Sequence, residues 1–397
     1  MPYLTAAYPG IGGQLKTVPE DFLVEEIPLY TPSGQGQHVY VTIEKRDVTT
    51  FGAIKAIARA LDIPAQAIGH AGLKDAYAVT RQTLSIDKVS PEAVQALELP
   101  KIKILDVCPH RNKLKVGHLA GNRFEIRVRQ VTPEVMPTVG KVLEVLSAKG
   151  VPNFFGAQRF GNRANTHRLG EMLIRKNVAE FVTELLGRPQ PTEAEPVQQA
   201  RALIDDGRWA EALAAWPSYL SEERRVLKAI VQDDGRPEIA FKVLNRKLGG
   251  LFISAYQSHL FNELLTQRLD SLDQLEVGDV AYLHRNGAAF LVEDAILEQP
   301  RANSFEISPA GPIFGPKLLA ATGKPGEQEH DILAKEGLTL DDFRNPYVKA
   351  HGVRRPYRFE LKQATVWWDE GLMLSFELPP GAYATTVLAE IMKPDEF

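Results

Sequence analysis

The residues best suited to chemistry lie in Gly69-His-Ala-Gly-Leu-Lys-Asp-Ala-Tyr-Ala-Val-Thr-Arg-Gln82, where the carboxylate of Asp75 follows Lys74 among apolar neighbours. Glycine lets backbone approach a ligand closely, and a carboxylate buried near a cation stays ionised and can attack an electrophilic carbon. Asp75, buried near a cation, is therefore a candidate nucleophile; the competing reading is an ordinary Lys-Asp turn. A second cluster, Asn153-Phe-Phe-Gly-Ala-Gln-Arg-Phe-Gly161, gathers rings, amides and a guanidinium in one glycine-punctuated loop. Rings stack on a nucleobase, the Asn153 and Gln158 amides read its edge, and Arg159 contacts phosphate. Here the competing reading is aromatic core packing with the Arg159 stem laid along it.

Other reactive patterns are missing. The sequence holds no Walker loop, dinucleotide glycine fingerprint, His-Glu-x-x-His or nucleophile elbow, so no cofactor is expected. Cys108 is the single cysteine, which excludes an internal disulfide and a multi-thiolate zinc site. His167, His259, His284 and His351 are scattered, and Glu327-Gln-Glu-His-Asp331 reads as a solvated loop, so no metal is assigned.

Charge is unevenly distributed. The 397 residues carry a formal net charge of −4, which by itself argues against a nucleic-acid partner. Lys101, Lys103, Arg111, Lys113, Lys115, Arg123, Arg127 and Arg129 nevertheless crowd one segment against Asp106 and Glu125, whereas acids predominate from 190 to 240. Phosphate contacts act over a short screened range, so a basic strip can bind RNA beside a distant acidic region. The bland alternative is a solvated face charged for solubility.

The elements that must position these clusters follow from periodicity. Length gives about two to three domains, and 44% hydrophobic with 24% charged residues describes an ordinary globular chain. No apolar run is long enough to span a membrane and Met1–Gly13 does not resemble a signal peptide, so a cytoplasmic protein without membrane contact is expected. Strands are predicted at 22–27, 38–43, 78–86, 101–105, 114–116 and 122–129, with a turn at 31–36. Helices are predicted at 50–61, 134–149, 169–186 and 253–269, with further helical segments at 197–204 and 209–216. Residues 278–292 and the 311–316 loop suggest a small strand-and-loop region, and the alternation beyond Arg354 suggests strands returning to the first domain.

Several segments in order carry a resemblance: 16–26 (Lys-Thr-Val-Pro-Glu-Asp-Phe-Leu-Val-Glu-Glu), Ala71-Gly-Leu-Lys-Asp75, Pro152 to Gly161, Ser254-Ala-Tyr-Gln-Ser-His-Leu-Phe-Asn262 and 378–386. In these the chain resembles the TruD pseudouridine synthases of bacterial type. The resemblance implies an α+β fold: a pseudouridine-synthase catalytic domain with a mixed, mostly antiparallel sheet flanked by helices, plus an inserted TRUD-specific domain. The implied bounds are 1–176 and 353–397 for the catalytic domain and 177–352 for the insertion. It implies a catalytic role for Asp75 with Lys16 beside it, and substrate binding by Phe22, Asn153 and Phe155, the last stacking on the target base. Tyr383 stands where the family often has Phe.

The implied reaction is isomerisation of uridine to pseudouridine, with uridine 13 in the D arm of tRNA as the usual target and no cofactor. Lys113, Lys115, Arg123, Arg127 and Arg129 are the expected grip on the RNA backbone, and a monomer is favoured. Two alternatives stay open: a non-catalytic RNA-binding or chaperone protein, and a synthase acting on another RNA.

Overall fold

Alternating β-branched and aromatic residues form β1 (Phe22–Pro28) and β2 (His38–Arg46). The Thr49 hydroxyl then accepts from Gly52 N–H and caps α1 (Thr50–Ala60), which buries Ala53, Ile54, Ile57 and Ala58. There follow β3 (Ile68–His70), β4 (Val79–Asp87), the short α2 (Pro91–Gln95), β5 (Ile102–His110), β6 (Leu119–Val128) and α3 (Met136–Lys149). The computed structural model describes residues 2–347 and 351–394. Two compact units emerge, Met1–Pro152 with Phe359–Phe397, and Asn153–Arg358.

In the first unit, eight strands among the described residues form one sheet. Its order is Lys362–Trp368, Leu372–Leu378, β6, β1, β4, β2, β5, with β3 beside β4. The β1–β4 pairing is parallel and the other pairings are antiparallel. Of the strands predicted after Arg354, those at 365–368 and 372–378 join this sheet, whereas Arg358–Phe359 pairs with Val151–Pro152 in a separate two-stranded sheet. The predicted strand at 114–116 is instead a loop, held by Leu114 N–H to the Ser85 hydroxyl and by Gly117 N–H to the Ala71 carbonyl.

One face of the sheet carries two apolar cores. Phe22, Val24, Phe124, Ile126, Leu374 and Phe376 pack under α3 and the C-terminal helix Ala384–Met392. Val39, Val41, Ile43, Leu84 and Ile86 pack under α1. On the same face, strand parity places Lys45, Thr80, Gln82, Glu26 and Asn122, so a polar seam divides the two cores.

The second unit is helical before it is extended. The single helix predicted at 169–186 is two, α4 (Thr166–Arg175) and α5 (Val178–Leu186): Lys176 turns left-handed at φ 56°, and Asn177 accepts from Glu180 N–H to start the next. After α6 (Glu195–Asp205), α7 (Trp209–Ala215), α8 (Ser221–Gln232) and α9 (Ile239–Val243) comes the long α10 (Arg246–Arg268). Gly170 lets α4 lie against α10, since a Cβ there would come within 2.0 Å of the Phe252 carbonyl oxygen. That packing places α4, and the loop before it, with the second unit, whose bounds of 153 and 358 differ from the expected 177 and 352.

Two local expectations fail in the same unit. Gly311–Ile313 is strand rather than loop, part of Ile307–Ile313 paired with Val353–Pro356; Gly311 fits because a Cβ would strike the Tyr357 ring at 2.4 Å. Glu327–Asp331 lies on the helix Gly323–Lys335, where Glu329 pairs with Arg354. Among the described residues no helix is long and apolar enough to cross a membrane.

Ile57 is fully buried beneath the sheet, so Ile57→Ala is expected to cost about 2–5 kcal/mol in urea denaturation. A loss below about 0.5 kcal/mol would show that the α1 core is not a stability determinant.

Candidate active site

The loop bearing Asp75 leaves β3 and enters β4 across the polar seam. Gly69 is sterically required at its start, because a Cβ would come within 2.3 Å of the Leu114 carbonyl oxygen and 2.6 Å of the Ser85 hydroxyl. Gly72 is not, its nearest contact being Lys74 Nζ at 3.7 Å.

Two buried ammonium groups fasten the loop from below. Lys74 turns inward to meet Glu26 at 2.9 Å and donates to Asn122 Oδ1 at 2.7 Å, while its backbone N–H donates to the Thr50 hydroxyl at 3.0 Å. Glu26 and Asn122 face each other across β1 and β6, so register alone assembles this receptor. Lys45, wholly buried, donates to the carbonyls of Val48 at 2.6 Å and Asp75 at 2.8 Å.

The Asp75 side chain points the other way, 51% exposed, with Lys16 Nζ at 3.1 Å. The sequence placed this carboxylate in a sheltered pocket; in the unliganded protein it stands open, because its loop spends its burial on Lys74 and on its own backbone. Lys16 is itself positioned. Its φ is 54°, and its ammonium lies 4.1 Å from the centre of the Phe22 ring. Phe22, expected against substrate, is a core residue edge-on to Phe124 and supports Lys16 from beneath. Next to Lys16, the Tyr77 hydroxyl donates to the Thr17 carbonyl at 3.2 Å.

The segment that presents Lys16 and Thr17 is held by Arg129, which makes a two-pronged pair with the buried Asp21 at 2.7–3.0 Å and exchanges backbone hydrogen bonds with Gln14. Burial pushes the Asp21 carboxyl up, but the hydrogen bonds from Arg129 and from Val18 N–H outweigh this and hold it below the ordinary carboxylate range. Arg129 thus braces the N-terminal segment. The other expected grip residues divide. On the outer sheet face, register lines up Glu44, Arg81, Glu25, Arg123 and Glu377 in alternating charge across five strands, with Arg123 2.7 Å from Glu377. Arg127 pairs with Asp369 at 2.8 Å. Exposed pairs of this kind are worth about 0–1 kcal/mol and can be exchanged for a phosphate at small cost. Lys113 donates to the Gln66 carbonyl, and Lys115 is exposed.

The second cluster belongs to the other unit. The Ser254–Asn262 segment of α10 organises it: Asn262 accepts from Phe155 N–H and donates to the Phe155 carbonyl, both at 2.9 Å. Arg159 donates to the hydroxyls of Ser258 and Ser254. The guanidinium expected on phosphate is therefore tied to a helix. Asn153 donates to the Pro356 carbonyl at 2.9 Å and accepts from Arg355, whose guanidinium lies 4.1 Å from the Phe155 ring centre. Phe261 meets the same ring edge-on. Gln158 is exposed in a short 3-10 turn, and Tyr383, in the first unit, is exposed immediately before the C-terminal helix.

Lys45, Glu26, Asn122 and Arg355 were missed. For Lys45 a signal existed, since it shares the parity of the buried Val39, Val41 and Ile43. His167 and His259, read as scattered, lie with ring centres 4.6 Å apart and planes tilted by 31°; burial, with His259 adding to it, pushes His167 down to about 4. Among the described residues no group of three or more His, Cys, Asp or Glu is disposed to hold a metal.

A sheet whose polar seam presents a braced aspartate invites comparison with known enzymes. A family model described as tRNA pseudouridine synthase D (TruD) matches residues 1–391. The chain is 46% identical to tRNA pseudouridine synthase D of Geobacter sp. (strain M21) and 47% identical to that of Syntrophotalea carbinolica, each over 99% of both chains. It matches the crystal structure assigned as a tRNA pseudouridine synthase D from Methanosarcina mazei with a TM-score of 0.90 and 30% identity, over 99% of this chain and 96% of that one. The chain belongs to the tRNA pseudouridine synthase D family, a family of isomerases.

Removing Glu26 strands the Lys74 ammonium, and Glu26→Ala is expected to cost about 3–5 kcal/mol in denaturant titration. A near-neutral result would mean that the pair does not anchor the loop. Burial pushes Lys45 down to about 8 from 10.5, opposed by Asp75 and reinforced by Lys74. The unfolded chain holds this proton to higher pH than the folded one, so the destabilisation from Lys45 is full below pH 8 and is relieved as the pH rises towards 10.5. Lys45→Met should lack that alkaline gain in urea stability relative to wild type; identical pH profiles would refute the assignment.

Proposed function

We propose that this protein isomerises uridine to pseudouridine in tRNA, at uridine 13 of the D arm, with Asp75 as nucleophile. The observation that carries the reading is the Asp75 loop itself: its backbone is fixed by buried Lys45 and Lys74 while its carboxylate faces outward beside Lys16. A rigid loop that ends in an accessible carboxylate suits attack on a substrate carbon. The bond from ribose to the uracil nitrogen breaks and one from ribose to a ring carbon forms; that carbon gives up its hydrogen as a proton and the freed nitrogen takes one up, so product and substrate have the same atoms. Attack on the uracil ring and attack on the anomeric carbon both fit the geometry. The exposed carboxylate loses its water when the everted base covers it, which strengthens its interaction with Lys16.

Eversion costs roughly a few kcal/mol of stacking, which protein contacts must offset. In this reading Asn153 and Phe155 serve the base, and Arg159 and Arg355 hold their loop in place. Lys113 and Lys115 remain the backbone contacts, with Arg123 and Arg127 joining by exchanging partners. A cytoplasmic monomer working without a cofactor completes the proposal.

Asp75→Asn is expected to abolish pseudouridine formation in uridine-labelled tRNA while leaving RNA affinity within about tenfold, because phosphate contacts dominate binding. Retained turnover would remove Asp75 from its role. Wild-type protein that binds tRNA without forming pseudouridine would favour an RNA chaperone, and product at another position or in another RNA would move the target.

A further inference from the structure

The Asp75 loop carries apolar side chains that the fold does not bury. Leu73 is 61% exposed and Tyr77 44%, two residues to either side of Asp75. Phe51 is 55% exposed at the start of α1, and the hydrogen bond from Lys74 N–H to Thr50 brings that helix end against the loop. The Phe51 ring stands edge-on to His70, the last residue before the loop, with centroids 5.8 Å apart. Scattered exposed apolar residues are commonplace, but these are brought together at one loop, the one that carries Asp75.

Their fixation is as informative as their exposure. Tyr77 is held by its hydroxyl at the Thr17 carbonyl, next to the lysine that pairs with Asp75, so its ring is a fixed platform at one end of the rim. Phe51, on a capped helix and edge-on to His70, stands at the other. The basic loop at 111–117, which carries Arg111, Lys113 and Lys115, adjoins the Asp75 loop through the hydrogen bond from Gly117 N–H to the Ala71 carbonyl at 2.8 Å. Rigid rings next to cations suit a chain that is at once polyanionic and rich in flat apolar faces, namely single-stranded RNA.

We propose that Tyr77 and Phe51 stack on the nucleotides that flank the target uridine and that Leu73 enters the gap left by its eversion. The proposal rests on the pseudouridine-synthase reading and adds to it the residues that hold the RNA open. Tyr77 supports the neighbour on the Lys16 side and Phe51 the neighbour on the His70 side. An apolar side chain between base steps is an established way of holding a stack apart. Because loss of one stacking ring weakens single-strand binding by roughly tenfold, each ring should show in affinity rather than in chemistry at saturation.

The test uses the full chain in the Asp75→Asn background, with tRNA transcripts carrying 2-aminopurine on the 5′ or the 3′ side of the target. Binding is expected to quench each probe, with Tyr77→Ala abolishing the quench at one position, Phe51→Ala at the other, and each weakening affinity by about tenfold. Tyr77→Phe should preserve quenching and affinity although it loses the Thr17 hydrogen bond, which separates stacking from tethering. With Asp75 intact, Tyr77→Ala should raise KM far more than it lowers kcat. Unchanged quenching and affinity in both alanine variants would overturn the proposal, as would a Tyr77→Phe variant that behaves like Tyr77→Ala. Quenching by a wild-type chain that makes no pseudouridine would leave the rim standing and sink the reaction instead.

Discussion

Two ammonium groups without access to water dictate the shape of the catalytic region. Lys45 and Lys74 lie in the seam between the two apolar cores, and a buried cation must find acceptors or be expelled. The acceptors come from Glu26 and Asn122 on neighbouring strands and from the backbone of the 71–78 loop. The loop is therefore held by its main chain and by Lys74, which leaves the Asp75 side chain free of structural duty. Polar burial of this kind contributes little net stability but specifies one conformation strongly, and here that conformation presents a carboxylate.

The same logic separates the arginines of the basic strip. Arg129 meets a buried carboxylate on a short 3-10 turn and so organises the segment that delivers Lys16 and Thr17. Arg123 and Arg127 sit on the outer face among acids supplied by adjacent strands. A surplus of positive charge counted along the sequence is largely cancelled in three dimensions: β-register sets Arg123 between Glu25 and Glu377, and Arg127 and Arg129 meet Asp369 and Asp21, all of them distant in the chain.

Much of the fold was legible from periodicity. Alternation located β1, β2, β4 and β6, capping and helical spacing located α1 and α3, and the return of strands after Arg354 was visible as renewed alternation. Leu114–Val116 misled because three alternating residues match a strand but are too few to distinguish one from a loop. The break between α4 and α5 depended on a left-handed Lys176, a conformation that residue type does not announce. In the site, the pairing of Lys16 with Asp75 was readable only through resemblance. Arg355 was not readable at all, since its partners Asn153 and Phe155 come from a distant stretch of chain. Lys45 could have been found by parity, as a charge among buried hydrophobes; the exposure of Asp75 could not, because it depends on which face of the loop the buried lysines claim.

The sheet of the first unit also constrains how the protein is made. Strand Leu372–Leu378 pairs with β6 along its whole length, and the helix Ala384–Met392 covers the core beneath, clasped by Thr5 through Glu390. During synthesis, residues 153–358 emerge between the two halves of that sheet. The nascent first half must wait, with one edge of β6 unpaired and its core covered by α3 but not by the C-terminal helix, for the time the ribosome takes to translate the entire second unit. Chaperone dependence should accordingly fall on the early strands, and a circularly permuted gene that joins the clasped ends and opens elsewhere would shorten the wait.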